Sequence, residues 1–320
     1  MAQTAPRVLV TGGAGFVGST LVDRLLAEDY QVDVIDDLSS GSLANLSEAR
    51  AQRTGRLRFH QLDVCSPQVV ELMARWRPEV VFHLAAQPDV RASVANPVDD
   101  VQANVIGSLR VLEGARSAGA RRVVYSASGG TLYGDPDPAK LPLTESEPYR
   151  PRSPYGASKR AVLDYLRIYR ELHGLEFCAL ALANIYGPRQ DPQGEAGVVA
   201  IFAGQLIAGR QCVIYGDGSQ TRDFVYVDDV VDALVRAARG GDGLVLNVGT
   251  GRETTVLELY RAMAALTGVT TAPRFAPARP GELHRSSLDP ARAAVALGWQ
   301  SWTTLDEGLE SVLQKAREFA

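Results

Sequence analysis

A tyrosine and a lysine lie four residues apart in the segment SPYGASKRAVLDYLRIYRELHG, at Tyr155 and Lys159. The segment has the pattern of a helix, so this spacing places both side chains on one face. With 11 tyrosines and 3 lysines in the chain, chance supplies about 0.1 such pairs. A neighbouring ammonium lowers the pKa of a phenol. The pair therefore predicts a tyrosine that accepts a proton from a hydroxyl group, the alternative being two residues on a surface helix.

A serine hydroxyl is expected beside this pair. Ser128 ends a predicted strand in the segment VVYSASGG. A residue at the end of a buried parallel strand lies at the carboxyl edge of the sheet. From there the Ser128 hydroxyl could hydrogen-bond the oxygen that reacts with Tyr155. The alternative is a turn residue without a chemical role.

A glycine-rich turn follows the first predicted strand and opens a helical pattern. The segment TGGAGFVGS contains Gly13-x-Gly15-x-x-Gly18 and equally Gly12-x-x-Gly15-x-x-Gly18. Glycines there permit a tight turn and close approach of the backbone to a pyrophosphate, which the helix N-terminus binds. Asp36 stands about 20 positions further on, where a carboxylate accepts hydrogen bonds from ribose hydroxyls. A carboxylate also repels a 2′-phosphate, so the motif predicts NAD rather than NADP, and a bound positive nicotinamide would lower the pKa of the tyrosine further.

Further cofactor contacts are expected where later strands end. Asp37 follows Asp36, and Asp63 closes the third predicted strand near the adenine edge. The alternatives are a solvated turn for the Asp36–Asp37 pair and a turn stabilised by its own side chain for Asp63. Ala85 and Ala86 end the fourth predicted strand, where small residues let a cofactor lie against the sheet.

The order of elements indicates the fold that positions these residues. Apolar runs rich in β-branched residues alternate with helical or turn-rich segments, as buried parallel strands require. The predicted strands are RVLVT, QVDVID, LRFHQLDV, EVVFHLAA, RRVVYSAS and EFCALALANIYG. The sequence therefore predicts an α/β protein with a doubly wound parallel (Rossmann) sheet.

The second half of the chain is less regular and predicts a smaller carboxyl-terminal substrate-binding lobe. GPRQDPQGEAG and GDGSQTRDF read as loops, and LDPARAAVALGW and LDEGLESVLQKAREF read as helices, the first with Asp289-Pro290 as its cap and first-turn residue. We expect the NAD-binding domain to comprise residues 1–184 plus about 222–249. The lobe would comprise about 185–221 plus 250–320.

Composition narrows the class of protein. The chain is 46% hydrophobic and 22% charged, with a formal net charge of −4. These values argue against a nucleic-acid partner, and the longest apolar runs are too short to span a membrane. Three scattered cysteines without a CxxC predict reduced thiols and a cytoplasmic location. Four histidines without ligand spacing predict no metal.

Motifs along nearly the whole chain resemble those of the extended short-chain dehydrogenase/reductases, in particular the UDP-glucose (UDP-galactose) 4-epimerase group. The resemblance rests on TGGAGFVGS, VIDDLSSG, LDV, FHLAAQ, NVIGS, YSASGGTLYG, SPYGASK, NIYGPRQDP, TRDFVYVDD, NVGTG and ARPGE. It implies tightly held NAD, a UDP-sugar substrate and a homodimer formed through the helix of the Tyr–Lys pair. The activity it implies is 4-epimerisation through a transient C4 ketone.

The resemblance also implies roles for individual residues. Tyr155 would be the catalytic base, Lys159 would contact the nicotinamide ribose, and Ser128 would hydrogen-bond the sugar hydroxyl. Because YSASGGTLYG is one residue longer than the common family form, Thr131 could supply that hydroxyl instead. The remaining cofactor contacts would come from Phe16, Val17, Val64, Leu84 and Asn104. The substrate contacts would come from Asn184, Arg189, Val198, Val199, Tyr215, Arg222, Arg279 and Ser286, with Tyr215 against uracil.

Two residues bear on which sugar is bound. Ser286 stands where the family limits the space around C2, so N-acetylated sugars could fit. Arg189 could bind the carboxylate of a uronate. The expected order is UDP-glucose/UDP-galactose, then UDP-glucuronate, then UDP-N-acetylglucosamine.

Other activities remain as alternatives. The Asp-Glu pair of nucleotide-sugar 4,6-dehydratases is missing after Thr131, and without that acid, water elimination lacks a proton donor. A net-redox reductase, a UDP-glucuronate decarboxylase and, from another class, a catalytically silent NAD-sensing binding module stay open.

Overall fold

The computed structural model describes residues 5–52, 54–192, 197–279 and 283–318. Within these ranges the strands are β1 (Arg7–Thr11), β2 (Gln31–Asp36), β3 (Leu57–Gln61), β4 (Val80–His83), β5 (Arg122–Ser128), β6 (Glu176–Leu182), β7 (Asn184–Tyr186), β8 (Val213–Tyr215), β9 (Thr221–Arg222), β10 (Phe224–Tyr226), β11 (Leu244–Val248), β12 (Thr254–Thr255) and β13 (Arg274–Ala276). The helices are α1 (Phe16–Ala27), α2 (Ser47–Ala51), α3 (Gln68–Trp76), α4 (Val90–Ala95), α5 (Pro97–Val101), α6 (Gly107–Ala118), α7 (Gly129–Leu132), α8 (Pro154–His173), α9 (Val198–Ile207), α10 (Val227–Ala237), α11 (Val256–Thr267), α12 (Ala291–Leu297) and α13 (Leu305–Glu318). A π-helical turn, Gln102–Ile106, joins α5 to α6.

Seven strands form one parallel sheet in the order β11-β6-β5-β4-β1-β2-β3. The chain places β2 on one side of β1 and later places β4 on the other side, so the strand order reverses between β1 and β4. Ligands of open α/β sheets bind at the carboxyl ends of the strands at such a reversal. The predicted doubly wound sheet is confirmed.

Helices cover both faces of this sheet. On one face Leu25 of α1 packs in the same buried cluster as Leu234 of α10. On the other face Met73 of α3 and Val111 of α6 share a second cluster with Val162 of α8. Each buried side chain of this size contributes roughly 1.5–3 kcal/mol relative to an exposed one. Cover on both faces explains why the central strands β4, β5 and β6 are largely buried, whereas the edge strand β3 alternates polar and apolar residues and is only partly buried.

The prediction of one strand over EFCALALANIYG is wrong. The chain forms β6 in the large sheet and then β7, which pairs with β10 outside it. The change occurs between two neighbouring residues: Ala183 N–H donates to Val248 O (2.9 Å), whereas Asn184 N–H donates to Asp223 O (2.9 Å). The chain therefore leaves the sheet at this point and turns toward the lobe.

The second half of the chain has its own core, in which Phe202 of α9, Met263 of α11 and Leu309 of α13 pack together. Strands β8 and β13 pair in parallel beside it. However, α12 packs in the core shared by α1 and α10, and Trp299 Nε1 donates to Asp229 O there (2.8 Å). Helix α12 begins one residue after Pro290, whose predicted place was inside its first turn. The division into domains stays a prediction.

Parts of two predicted motifs lie outside the described residues: 193–196 of the loop GPRQDPQGEAG and 280–282 of ARPGE. Of the helices within the described ranges, none combines the length and apolar character needed to cross a membrane. The same ranges contain no group of three or more His, Cys, Asp or Glu side chains arranged to hold a metal ion.

Candidate active site

The glycine turn after β1 is shaped by two close approaches. Gly12 has a φ of +71°, and a Cβ on it would lie 2.7 Å from Ala85 N. A Cβ on Gly18 would lie 2.0 Å from Gly12 O, so only glycine lets α1 pack this closely on the turn. Gly15 is the N-cap of α1 and provides no side-chain cap. The first N–H groups of a helix have no intrahelical acceptor, so this turn fits a pyrophosphate.

Asp36, at the end of β2, braces that turn. Its Oδ2 accepts from Ala14 N–H (2.9 Å), and its Oδ1 accepts from Leu38 N–H (2.8 Å). Burial raises the pKa of this carboxyl, and the two backbone hydrogen bonds oppose the rise. The carboxylate stands beside the glycine turn at the carboxyl end of β2, and its predicted contact with ribose hydroxyls stays a prediction.

The two neighbouring acids form local turns. Asp37 Oδ1 accepts from Ser39 N–H (2.9 Å), and Asp63 Oδ1 accepts from Cys65 N–H (2.8 Å). Strand β3 ends at Gln61, so Asp63 follows the strand instead of closing it. Both carboxylates are exposed at the carboxyl edge of the sheet. Both carboxylates therefore stabilise turns, as the alternative interpretation predicts, and a cofactor role for them stays a prediction.

The other residues predicted for the cofactor surround the crevice mainly as packing groups. Phe16, Val17 and Leu84 are partly buried against the core of α1 and α10, and Val64 is partly buried against the opposite core. Strand β4 ends at His83, so Ala85 and Ala86 lie just beyond it in a loop.

Asn104 is buried, and its amide is fully used within the protein. Its Oδ1 accepts from Gln87 N–H (2.9 Å), and its Nδ2 donates to Gln87 O (3.1 Å) and to Asp100 Oδ1 (2.8 Å). Asn104 therefore holds the loop after β4 in place, and any effect on the cofactor would be indirect, through this loop. The π-helical turn that carries it is a feature often found at functional sites.

A buried histidine, which sequence reasoning missed, fixes the same loop. Ser108 Oγ donates to Asn104 O (2.6 Å) and therefore accepts from His83 Nε2 (2.8 Å). Because the neutral ring carries its proton on Nε2, its Nδ1 accepts from Thr11 Oγ1 (2.7 Å), which in turn accepts from Ala85 N–H (3.2 Å). Burial lowers the pKa of His83 to about 3, so the ring is neutral. No motif signals this arrangement, because its members come from separate elements.

Helix α8 presents the Tyr–Lys pair. Ser153 Oγ caps the helix by accepting from Gly156 N–H (3.1 Å), and Pro154 occupies the first turn, a position that needs no N–H donor. Tyr155 and Lys159 follow on one face, with Lys159 Nζ 5.7 Å from the centre of the Tyr155 ring. Lys159 Nζ donates to Ser126 O in β5 (3.0 Å). The structure therefore brings the predicted pair together at the carboxyl end of β5.

The charge states of this pair differ from the expectation. Burial and the Asp100 carboxylate raise the pKa of Tyr155 to about 12, and a hydrogen bond with Ser128 opposes the rise. Burial lowers the pKa of Lys159 to about 8, and Asp100 opposes that fall. The prediction of a lowered tyrosine pKa is thus wrong for the protein without cofactor, because burial and a nearby anion raise the pKa of the phenol.

The two candidate hydroxyls have different surroundings. The Ser128 side chain acts on Tyr155 and lowers the pKa of its phenol against the effect of burial. Thr131 Oγ1 instead donates to the backbone of its own helix α7, at Ser128 O (3.4 Å). A Cβ on Gly156 would lie 3.3 Å from Thr131 Cβ, so the threonine packs against the start of α8. The geometry favours Ser128 as the hydroxyl that works with Tyr155.

Several residues predicted for the substrate lie in the lobe. The Arg279 guanidinium lies 3.9 Å from the centre of the Tyr215 ring, and Arg279 lowers the pKa of that phenol. Arg222 Nη1 donates to the backbone of Thr221 (2.7 Å). Asn184 begins β7 and is exposed.

The two predicted valines differ in exposure. Val198 begins α9 and is partly buried, whereas Val199 is 1% exposed within the lobe core. The Val199 side chain therefore serves the packing of the lobe, and a substrate contact at this position stays a prediction.

Ser286 lies against the start of α7. A Cβ on Gly130 would be 3.9 Å from Ser286 Oγ, and one on Gly129 would be 2.3 Å from Leu288 Cδ1. Asp223, which sequence reasoning missed, holds this segment: its Oδ2 accepts from Leu288 N–H (3.1 Å), and its Oδ1 accepts from Thr250 N–H (2.9 Å). The segment that carries Ser286 thus packs against α7, which begins directly after Ser128.

Arg189 points to the outside of α1. Its Nη1 lies 2.7 Å from Asp23 Oδ2 and donates to Ser19 Oγ (3.3 Å), while its Nη2 lies 3.8 Å from Glu48 Oε2. These groups neutralise the guanidinium within the protein. The prediction that Arg189 binds a substrate carboxylate has no support from this geometry.

Comparisons with known proteins agree with the site. Residues 8–249 match the model of the NAD dependent epimerase/dehydratase family. The chain is 51% identical over 309 residues to a UDP-glucose 4-epimerase of Mycolicibacterium smegmatis, covering 96% of this chain and 97% of that relative. A crystal structure of Thermotoga maritima UDP-glucose 4-epimerase with UDP-glucose superposes with a TM-score of 0.94, at 41% identity and with 98% and 99% of the two chains covered.

A Thermus thermophilus UDP-glucose 4-epimerase in complex with NAD has a TM-score of 0.89 at 39% identity, with 97% of this chain and 99% of that chain covered. The resemblance predicted from sequence motifs and the predicted NAD cofactor are both confirmed. The chain belongs to the NAD-dependent epimerase/dehydratase family.

Proposed function

We propose that this protein is an NAD-dependent UDP-sugar 4-epimerase, an isomerase whose preferred pair is UDP-glucose and UDP-galactose. The observation that carries the proposal is the Tyr155–Lys159 pair at the carboxyl end of β5, where Lys159 Nζ lies 5.7 Å from the centre of the Tyr155 ring and donates to Ser126 O (3.0 Å). It places a proton acceptor and an ammonium next to the crevice in which the glycine turn would hold NAD. The epimerases of similar sequence support the reaction type.

Each member of the site has a distinct task. Tyr155 takes the proton of the C4 hydroxyl and later returns it, while Ser128 Oγ hydrogen-bonds the same oxygen and keeps it aligned. Lys159 binds the nicotinamide ribose and contributes positive charge that favours the phenolate. Bound NAD supplies the oxidation by taking the C4 hydrogen and returning it to the opposite face of the ketone. The cycle leaves no net redox change, so one tightly held NAD suffices.

Tyr215 and Arg279 are suited to the nucleotide end of the substrate. Tyr215 is 37% exposed, and the guanidinium above it offers a stacking surface together with a cation for phosphate. Arg222, Asn184 and the start of α9 at Val198 complete the proposed subsite for uracil and pyrophosphate.

The choice of sugar follows from two contacts. Because Asp23 and Glu48 neutralise Arg189, no positive charge from that residue is directed at a C6 carboxylate, and we rank UDP-glucuronate second. Ser286, beside Gly130 at the start of α7, has a small side chain, which keeps UDP-N-acetylglucosamine as the third candidate.

A homodimer through α8 and α5 is part of the proposal. Large apolar side chains are exposed on these two packed helices: Tyr165, Ile168, Leu172, Val98 and Val101. A patch of this kind marks an interface in a protein of ordinary composition. Sedimentation of the double variant Ile168→Asp/Leu172→Asp should show monomers where the wild type shows dimers; a monomeric wild type would refute this part.

The three thiols, Cys65, Cys178 and Cys212, are free, which supports a reducing, cytoplasmic location.

The proposal is tested by incubating the purified protein, without added NAD, with UDP-glucose, UDP-galactose, UDP-glucuronate and UDP-N-acetylglucosamine, followed by proton NMR. Formation of the C4 epimer of UDP-glucose or UDP-galactose at the highest rate is expected. Fastest conversion of UDP-glucuronate would reverse the ranking, and release of CO₂ or consumption of NADH would indicate a decarboxylase or reductase. No change of any substrate after NAD is supplied would leave the silent binding module as the better account.

A further inference from the structure

A buried carboxylate lies behind the Tyr–Lys pair and belongs to none of the motifs. Asp100, in α5, is 1% exposed. Its Oδ2 accepts from Ser158 Oγ in α8 (2.6 Å), and its Oδ1 accepts from Asn104 Nδ2 in the π-helical turn (2.8 Å). Within the described residues both side-chain partners are neutral. Burial of a carboxylate without an ion pair is costly, and such a group calls for an explanation beyond packing.

The two partners of Asp100 connect the two halves of the site. Ser158 lies on α8 between Tyr155 and Lys159, and it immediately precedes the lysine. Asn104 continues the connection through two hydrogen bonds to the backbone of Gln87 in the loop after β4. One carboxylate therefore joins the helix that carries the reacting tyrosine to the loop that borders the cofactor crevice.

We propose that Asp100 is a positioning residue: a buried counter-charge that holds α8 against the loop after β4 and sets the charge states of Tyr155 and Lys159. The inference rests on the proposed function only in taking these two residues as the reacting pair. The effect of the charge on Lys159 can be measured without any turnover.

The titratable groups that face this pair from the surrounding elements are few. Burial lowers the pKa of His83 in β4 to about 3 and raises the pKa of Tyr125 in β5 well above its usual range, so both are neutral. Asp100 raises the pKa of Lys159 against burial, and it raises the pKa of Tyr155 in the same direction as burial. Among the described residues that act on the pair, Asp100 is thus the anion that keeps the lysine charged and the tyrosine protonated.

Replacement by Asn removes the charge and keeps the size of the side chain. The amide of the new side chain can accept from Asn104 Nδ2 and donate to Ser158 Oγ, because a hydroxyl group can accept as well as donate a hydrogen bond. Loss of the negative charge makes the ammonium less stable and the phenolate more stable, so both pKa values fall. The acid and alkaline limbs of the pH profile of kcat/KM should therefore move together to lower pH. Mere distortion would lower the rate without moving both limbs.

The direct test uses the scarcity of lysine in this chain. Protein labelled with ¹³Cε-lysine gives signals from Lys140, Lys159 and Lys315 alone, and a Lys159→Met variant assigns the buried one. In the wild type the Lys159 signal should titrate near pH 8. In Asp100→Asn it should titrate lower, by on the order of one pH unit.

Ser158→Ala is the matched control, because it removes the hydrogen bond and keeps the charge. It should leave the Lys159 titration near the wild-type value. An unchanged titration in Asp100→Asn, or an equal shift in Ser158→Ala, would overturn the proposal. If Asp100→Asn does not fold, the titration of the Lys159 signal in the wild-type protein tests the proposal instead. Titration below pH 7 would show that no counter-charge stabilises the ammonium and would overturn it. Inactivity toward all UDP-sugars would instead refute the proposed function and leave these titrations readable.

Discussion

Replacement of Ser128 and of Thr131 separates two hydroxyls that sequence alone left as alternatives. In Ser128→Ala, Tyr155 loses the hydroxyl group that opposes the rise of its pKa. In Thr131→Val, the protein loses a hydroxyl whose contact with Ser128 O is 3.4 Å long, near the limit of a hydrogen bond. The isosteric valine keeps the packing against Gly156. We expect the first variant to lose activity and the second to keep it.

The size of the difference follows from the kind of hydrogen bond that is lost. A hydrogen bond to a group that becomes charged contributes about 1.5–3 kcal/mol, so Ser128→Ala should lower kcat about 10- to 150-fold. The long contact of Thr131 contributes well under about 1 kcal/mol, so Thr131→Val should lower kcat less than about fivefold. Both side chains are half-buried, and neither change should lower the melting temperature by more than a few degrees.

The assay is the initial rate of UDP-galactose conversion to UDP-glucose, with bound NAD measured in each purified variant as the control for cofactor retention. A larger loss of kcat in Thr131→Val than in Ser128→Ala, at equal NAD content, would refute the assignment of the hydroxyl and the reading of α7 on which it rests.

Three further changes test other parts of the site. Tyr155→Phe should abolish turnover while NAD stays bound; a variant that still epimerises would remove the assigned base. Gly18→Ala places a methyl group 2.0 Å from a backbone oxygen, so the purified variant should contain little NAD. Gly119→Ala is the control, because its φ is +70° and the space around it is open. This variant should lose about 1 kcal/mol of folding stability through backbone strain and keep its NAD. Arg189→Ala leaves a half-buried carboxylate without its cation, so it should lower the melting temperature by a few degrees and leave the ranking of UDP-sugars unchanged; a selective loss of UDP-glucuronate binding would restore a substrate role to Arg189.

Features that depend on one local segment could be predicted from the sequence. The glycine turn, the capped helix of Tyr155 and Lys159, and the buried strands are each encoded within a few consecutive residues. The acid at Asp36 follows from the same reasoning, since a strand of known length ends at a known edge. The fold class and the cofactor could therefore be predicted from the sequence alone.

Contacts between segments that are distant in the sequence could not be predicted in this way. Asp100 and Ser158 are 58 residues apart, Asp223 and Leu288 are 65 apart, and Arg189 and Ser19 are 170 apart. Neither partner of such a pair carries a signal of its own, because an aspartate on a helix reads as a solvated residue until its neighbours are known.

The charge states of the pair were mispredicted for a related reason. The spacing of Tyr155 and Lys159 predicts their proximity, but it does not reveal how deeply they are buried or that a carboxylate from α5 lies behind them. Burial and that carboxylate raise the pKa of the tyrosine, so in the proposed mechanism the positive charges of Lys159 and of bound NAD must together lower it.

The central claim is that C4 is oxidised and reduced again within one active site. Its most direct test is the conversion of UDP-glucose carrying deuterium at C4, followed by mass spectrometry and NMR of the UDP-galactose formed in ordinary water. The account predicts that the product keeps the deuterium at C4, because the hydrogen removed from one face is returned to the other. Loss of the label to solvent during epimerisation would contradict it.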